Sequence, residues 1–392
     1  MTDQIKAADM TDKELGAEAV AASGRLQAVT VEMYTRLLAR APESVPAEPK
    51  PVPVEPVEPS LDHNGILERL EEVTPKEEDL IAQMGELEEQ PMFGEPGFVE
   101  AWTLRDGEAY YRKHWDGLGD GPTDTNAYIR SPKVNGKYGY VDGLNIDECL
   151  IENACRFGMR LHGIRSGFMV TDSVIRHIRK EHGIYLSIAG GGDPDGDAVY
   201  IADTVFRDID SQAIQTVQRD QFWPGDALHE TPDPERDFVP GETIVLHRVA
   251  VLDGAQEEGD RESFDFSFFR SRNDVFAWNT LIDDRVQPVS RGFLMVQGYH
   301  GLGDDFERAI SNEVFAWRSG ASKQQVASFQ QMSYVNLIDG VIDVPEGSNA
   351  QITFDDCHDD IFIQNITSLR APVRVKINGV DAGLVDDWDG HK

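Results

Sequence analysis

The chain has 392 residues, with 36 Lys plus Arg against 70 Asp plus Glu for a formal net charge of −34, and 40% of its residues are apolar. That apolar share supports a sizeable core in a chain long enough for two or three domains. The charge disfavours nucleic acid and anionic membranes as partners, and no apolar run approaches the roughly 18 residues that a membrane span needs.

The first residues carry neither the basic start nor the apolar stretch of a secretory signal, so synthesis in a cytoplasm is expected. Cys149, Cys155 and Cys357 have no metal-ligand spacing and form no disulfide framework.

Residues 1–41 read as an N-terminal helical anchor. Thr11 and Glu14 have the spacing of a capping box, and Leu15, Ala19, Ala22, Leu26, Val29, Met33 and Leu37 alternate steps of four and three along one stripe. That stripe fits either a helix packed on its own domain or a seam against other subunits. Residues 42–62 are a Pro/Glu-rich tether, with seven prolines between Pro42 and Pro59, a composition that favours extended polyproline II.

Residues 63–137 read as an acidic helical connector that leads into a repetitive region. Ile66, Leu67, Leu70 and Val73 mark one short helix, and Thr74, Pro75 and Glu77 begin another that carries Leu80, Ile81, Met84 and Leu87.

Residues 138–380 restate one phrase. The segments 145–153, 169–177 and 200–208 superpose without gaps, setting Glu148-Cys149, Asp172-Ser173 and Asp203-Thr204 over one another. Similar strands recur around Val249, Leu281, Val341 and Ile366, and a second strand follows in several copies, after Gly158, Gly183 and Gly292. Short β-branched and aromatic runs punctuated by Gly, Asp and Asn are strands joined by turns. A repeat this short cannot bury its own apolar face, so copies must stack, with an interior expected to run from Leu150 to Ile366. The strings 273–278 and 312–317 both read Asn, an acid, Val-Phe-Ala-Trp, which predicts equivalent positions for Trp278 and Trp317. Residues 381–392 are read as a C-terminal tail.

This pattern resembles the right-handed parallel β-helix (pectate-lyase-like) superfamily, which includes pectate lyases, other polysaccharide-degrading enzymes and bacteriophage tailspikes. Residues 119–129, Gly-Asp-Gly-Pro-Thr-Asp-Thr-Asn-Ala-Tyr-Ile, are similar to the GDGxTDDTxAI segment of many tailspike-type members, with Thr125, Asn126 and Tyr128 departing from it. The resemblance implies a mainly β fold, a parallel β-helix solenoid behind an N-terminal α-helical anchor and Pro-rich linker. It transfers no active site onto named residues, because Arg156, Arg176 and Arg207 form no recognisable cluster and are expected to balance acidic neighbours.

Anchor, tether and stiff solenoid together describe a part attached at one end that displays at the other. The expected function is a virion structural protein of a bacteriophage or phage-like particle, a spike, tail fibre or decoration used for host-surface glycan attachment. Its expected partners are two further copies in a homotrimer, other virion proteins through the N-terminal helix, and host polysaccharide, without nucleic acid or membrane insertion. The alternatives are a polysaccharide lyase or glycoside hydrolase, and a non-catalytic glycan-binding module.

Candidate sites follow from residue type. Glu148, Asp172, Asp203, His247, Asn279 and Asp339 fall at one repeat position, where Asp and Asn suit a turn because their side chains bond the local backbone. Asp172 and Asp203 are also the candidate acid and base of a hydrolase, with unequal proton affinities expected from like charges at short range. Asp193, Asp195 and Asp197 in a Gly-rich turn are candidate calcium ligands, although the Glu completing an EF-hand is missing. No other cofactor is expected. Phe222 and Trp223, in a long insertion, and Tyr110, Tyr111 and Trp115 are candidate glycan contacts, because aromatic faces stack on sugar rings.

Overall fold

A computed structural model of the chain describes residues 63–90, 109–117 and, with breaks, 129–391; the breaks longer than three residues are 190–198, 220–243, 254–263, 284–290 and 299–310. The chain divides into two compact units, Met1–Pro59 and Ser60–Lys392. The expected anchor helix and most of the tether belong to the first unit and lie outside the described residues, as does the segment 118–128.

The second unit is mainly β, with two large parallel sheets. The chain visits them alternately. Leu150–Glu152, Val174–Ile178, Val199–Ile209, Ile244–Leu252, Val275–Asp283, Ser311–Gly320, Tyr334–Asp343 and Asp360–Leu369 are neighbours in the first sheet. Met159–Ser166, Ile184–Ala189, Ile214–Arg219, Phe266–Ser271, Arg291–Gly298, Gln325–Gln330, Gln351–Asp355 and Arg374–Ile377 are neighbours in the second. Parallel neighbours require a crossover, and here each crossover is a strand of the opposite sheet.

Alternation of side chains explains the core. Ile146, Val170, Ile201, Leu246, Ala277, Val314, Leu337 and Ile363 lie opposite one another in the first sheet and point inward, each at most 1% exposed. They share one apolar cluster with Leu161, Leu186, Phe268, Val296, Phe329 and Phe354 of the second sheet.

A row of residues with left-handed backbone kinks the first sheet. Arg112, Glu148, Asp172, Asp203, Arg248, Asn279, Asp339 and Asn365 all have φ between 46° and 54° and stand in one row across the sheet. The repeat position read from the sequence is therefore this kink, with one correction. The kink is at Arg248, because Ala202 pairs with His247 and Thr204 with Val249. The residue after the kink serves its geometry: Ser173 Oγ donates to Thr171 O at 2.6 Å, Thr204 Oγ1 to Ala202 O at 2.7 Å, and Cys149 Sγ to Asp147 O at 3.1 Å. A small donor here adds a bond to a carbonyl beside the kink; Thr171 O also accepts from the Glu148 amide at 3.2 Å and Asp147 O from the Arg112 amide at 3.1 Å. A second left-handed row, Asn153, His177, Asp208 and Asp253, follows five residues later.

The kink also reverses which residue faces inward. Ile151, Ile175, Phe206 and Val251 enter the main core, whereas Leu150, Val174, Val205 and Ala250 face outward, against the expectation that Leu150 lines the interior. A helix covers them. Of the two helices, α1 (His63–Val73) sets Ile66 and Leu70 against Val341, and α2 (Glu77–Met84) sets Leu80 and Met84 on Leu150, Val174, Val205 and Ala250. An eight-residue helix is marginal alone, so burial of Leu80 and Met84, each contributing about 1.5–3 kcal/mol, is what holds α2. The segment read as a connector is thus a cover on the sheet.

The ends differ from the expected boundaries. Glu88–Gln90, Lys113–Asp116 and Ile129–Arg130 already pair in parallel with the stack upstream of residue 138. At the other end Val380–Leu384 returns antiparallel on Arg374–Ile377 through Asn378 and Gly379, both with positive φ as a two-residue hairpin requires, and Gly390–His391 pairs antiparallel with the last long strand. The residues read as a tail close both sheets.

Trp278 and Trp317 are not equivalent. Trp278 pairs with Phe315 and stacks on His247 with centroids 4.7 Å apart, while Trp317 pairs with Thr280 and is fully buried. Core parity around the kink sets this register and overrides the repeated string.

Candidate functional site

Asp172 and Asp203 stand side by side in the kinked row with Glu148 before them and Arg112 and Arg248 at the two ends. Arg112 Nε donates to Glu148 Oε2 at 2.6 Å, and Arg248 Nη1 lies 2.9 Å from Asp203 Oδ1. Arg248 Nε also donates to Val73 O at 2.8 Å, satisfying a carbonyl at the end of α1. Asp172 is the middle carboxylate, without an arginine beside it. Burial, followed by repulsion from Asp203, Asp147 and Glu148, pushes its pKa up to about 6. Burial also raises Asp203, with Arg248 opposing the shift. The unequal proton affinities expected of this pair have these causes.

The surroundings are tightly engaged. Thr171 Oγ1 donates to Asp147 Oδ1 at 2.6 Å, and burial together with the Glu148 carboxylate moves the Tyr111 phenol up to about 12. Burial and the adjacent Arg248 and Arg69 cations push His247 down to about 4. A hydrolase needs one carboxylic acid and one carboxylate available to substrate. Here Asp172 can hold a proton near neutral pH, but Glu148 and Asp203 are committed to arginines. The bonds within this row run between side chains of neighbouring strands.

The aromatic candidates separate. Tyr111 is 49% exposed, Tyr110 is partly buried against the core, and Trp115 is 2% exposed with an edge contact to Tyr110 at 6.1 Å. Trp115 is a core residue and offers no face to a sugar, which corrects its assignment as a contact. Phe222, Trp223, Asp193, Asp195 and Asp197 lie outside the described residues.

Two groups were not read from the sequence. Arg176 and Arg207 are opposite one another in adjacent strands, and both reach Glu77 of α2 at 2.6 Å. Arg176 Nε also donates to Glu152 Oε2 at 2.6 Å, and Glu152 Oε1 meets His114 Nε2 at 2.8 Å. Among the described residues, His114, Asp116 and Glu152 bring one ligand atom each within 4.8 Å of one another, a spacing that a metal ion could bridge. The second group lies on the outer side of the second sheet. The Arg160 guanidinium sits 5.1 Å from the Phe157 ring centre and 5.6 Å from that of Tyr185, and Tyr185 stacks on His182 at 5.7 Å. Arg160 and Tyr185 occupy paired positions in neighbouring strands, each two residues after the glycine that precedes its strand.

No helix among the described residues is long and apolar enough to cross a membrane. No family model, curated protein or solved structure matches the chain.

Proposed function

We propose that the alternating sheets wind as a parallel β-helix and that the chain is a structural display protein, a spike, fibre or decoration of a phage-like virion that presents this rod for attachment to host-surface glycan. The observation that carries the reading is the continuous parallel register from Lys113 to Leu369, whose outer kinks are filled by side chains engaged with one another. Such a surface is built for stiffness.

The Tyr185 and Arg160 pair supports the glycan part, since a ring beside a guanidinium suits a sugar bearing a carboxylate. Association into a homotrimer would cover exposed faces of a long sheet. Light scattering tests the assembly: a particle three times the 43.7 kDa chain mass supports it, and a monomer at micromolar concentration overturns it. A glycan array tests the attachment, with Tyr185→Ala and Trp223→Ala expected to lower binding to acidic glycans and no binding by the parent chain contradicting it.

A further inference from the structure

We propose that His114, Asp116 and Glu152 form a binding site for a divalent transition-metal ion of the zinc class, where Lys113–Asp116 joins Leu150–Glu152. The proposal stands apart from the display reading. Its basis is the pairing of three donors with three supports. Ligands of a tetrahedral zinc ion, bound at about 2.0–2.2 Å, sit roughly 3.3 Å apart. His114 Nε2 and Glu152 Oε1 are 2.8 Å apart, and the full set lies within 4.8 Å, so small side-chain shifts close the site.

Each donor is held from behind. His114 Nδ1 meets Glu89 Oε1 at 2.7 Å, the carboxylate–histidine arrangement that fixes the tautomer and aims Nε2 at an ion. Arg176 Nε holds Glu152 Oε2 at 2.6 Å, leaving Oε1 toward the histidine. Asn153 Nδ2 donates to Asp116 Oδ1 at 2.9 Å. Glu89 lies on Glu88–Gln90, the edge strand of the sheet, so an occupied site would also fasten that edge to the first coil. Without metal, burial disfavours the imidazolium, but the Glu89 and Glu152 carboxylates outweigh it and raise the His114 pKa. Binding the ion replaces the Nε2 proton, which is released to solvent.

Three protein ligands leave a fourth position for water or an oxygen of a bound molecule. The set is one imidazole and two carboxylates without thiolate, a borderline-hard donor set that suits Zn2+ over Cu(I).

The test is calorimetric titration of ZnCl2 into the EDTA-treated full chain, with excess Mg2+ present to saturate diffuse binding by the acidic surface. One saturable ion per chain is expected. Asp116→Asn, close to isosteric, should weaken binding more than tenfold, as should His114→Ala, and Glu89→Gln should weaken it about ten- to a hundredfold with the stoichiometry kept. Replacing Asp193, Asp195 and Asp197 together by Asn should leave the isotherm unchanged. Absence of saturable binding, unchanged affinity in Asp116→Asn, or loss of binding in the Asp193, Asp195 and Asp197 variant each overturns the proposal. Should His114→Ala fail to fold by circular dichroism, Asp116→Asn alone decides.

Discussion

Trp317 occupies the core because residue 340 is glycine: a methyl group on Gly340 would lie 2.5 Å from Cε2 of the Trp317 indole. Trp317 pairs with Gly340 across adjacent strands and stacks on Phe293, with centroids 5.1 Å apart and planes 8° apart. This ring pair is one contact between the two sheets, and it depends on an absent side chain.

Gly340→Ala should destabilise the fold by about 2 kcal/mol, since an overfilled core forces neighbours off their preferred rotamers. Urea unfolding measures it. The double variant Gly340→Ala with Trp317→Phe should recover part of the loss, and full additivity would separate the two residues.

Asp172 gives a pH signature. Its carboxyl holds a proton to about pH 6 in the folded chain, against 3.8 when unperturbed, so the folded state binds more protons between those values. Stability from this group is complete below pH 3.8 and is lost as pH rises through about 6. Asp172→Asn should therefore stabilise the chain at pH 7.5 by about 1 kcal/mol, a value discounted for partial exposure, and should have no effect near pH 3.5. Asn also tolerates the left-handed backbone at this kink. Thermal unfolding at the two pH values checks it.

Glu77 ties α2 to the sheet through Arg176 and Arg207, and it is 8% exposed. Glu77→Gln should cost about 2 kcal/mol, because two guanidiniums lose their counter-charge in a half-buried setting. Amide exchange over residues 77–84 should accelerate while the strands keep their protection. Uniform acceleration would show that α2 is integral to the stack.

Ser173→Ala removes the donor to Thr171 O and the acceptor for the Cys149 amide, which meet Ser173 Oγ at 2.6 and 3.1 Å. About 1–2 kcal/mol should be lost, because the buried Cys149 amide is left unpaired, whereas Thr171 O keeps the Glu148 amide. Ser173→Thr should be close to neutral, since Thr204 fills the same position on the neighbouring strand.

Sequence periodicity made the kink row legible because a left-handed residue followed by a small donor is a local requirement, repeated as Glu148-Cys149, Asp172-Ser173 and Asp203-Thr204. Arg248 escaped it, because arginine is an uncommon left-handed residue whose reason for being there, Val73 O and Asp203, lies in other elements. Leu150, Val174 and Val205 look the same in sequence whether the outer face meets water or a helix, so α2 as cover was invisible. Trp278 and Trp317 were misaligned because local identity competed with core parity. The His114, Asp116 and Glu152 group had no signal at all, since its members come together only through the pairing of Lys113–Asp116 with Leu150–Glu152.

Stacked parallel coils are the claim on which the display reading rests. Glu148 and Asn365 lie in one kink row, seven strand pairings apart, which at about 4.8 Å per pairing predicts a separation of about 34 Å. Pulsed electron spin resonance measures it directly, with labels at Glu148→Cys and Asn365→Cys, serine in place of Cys149, Cys155 and Cys357, and unlabelled chain added to dilute contacts between subunits. A narrow distribution near 34 Å is expected, and a distance below about 20 Å would contradict the stack.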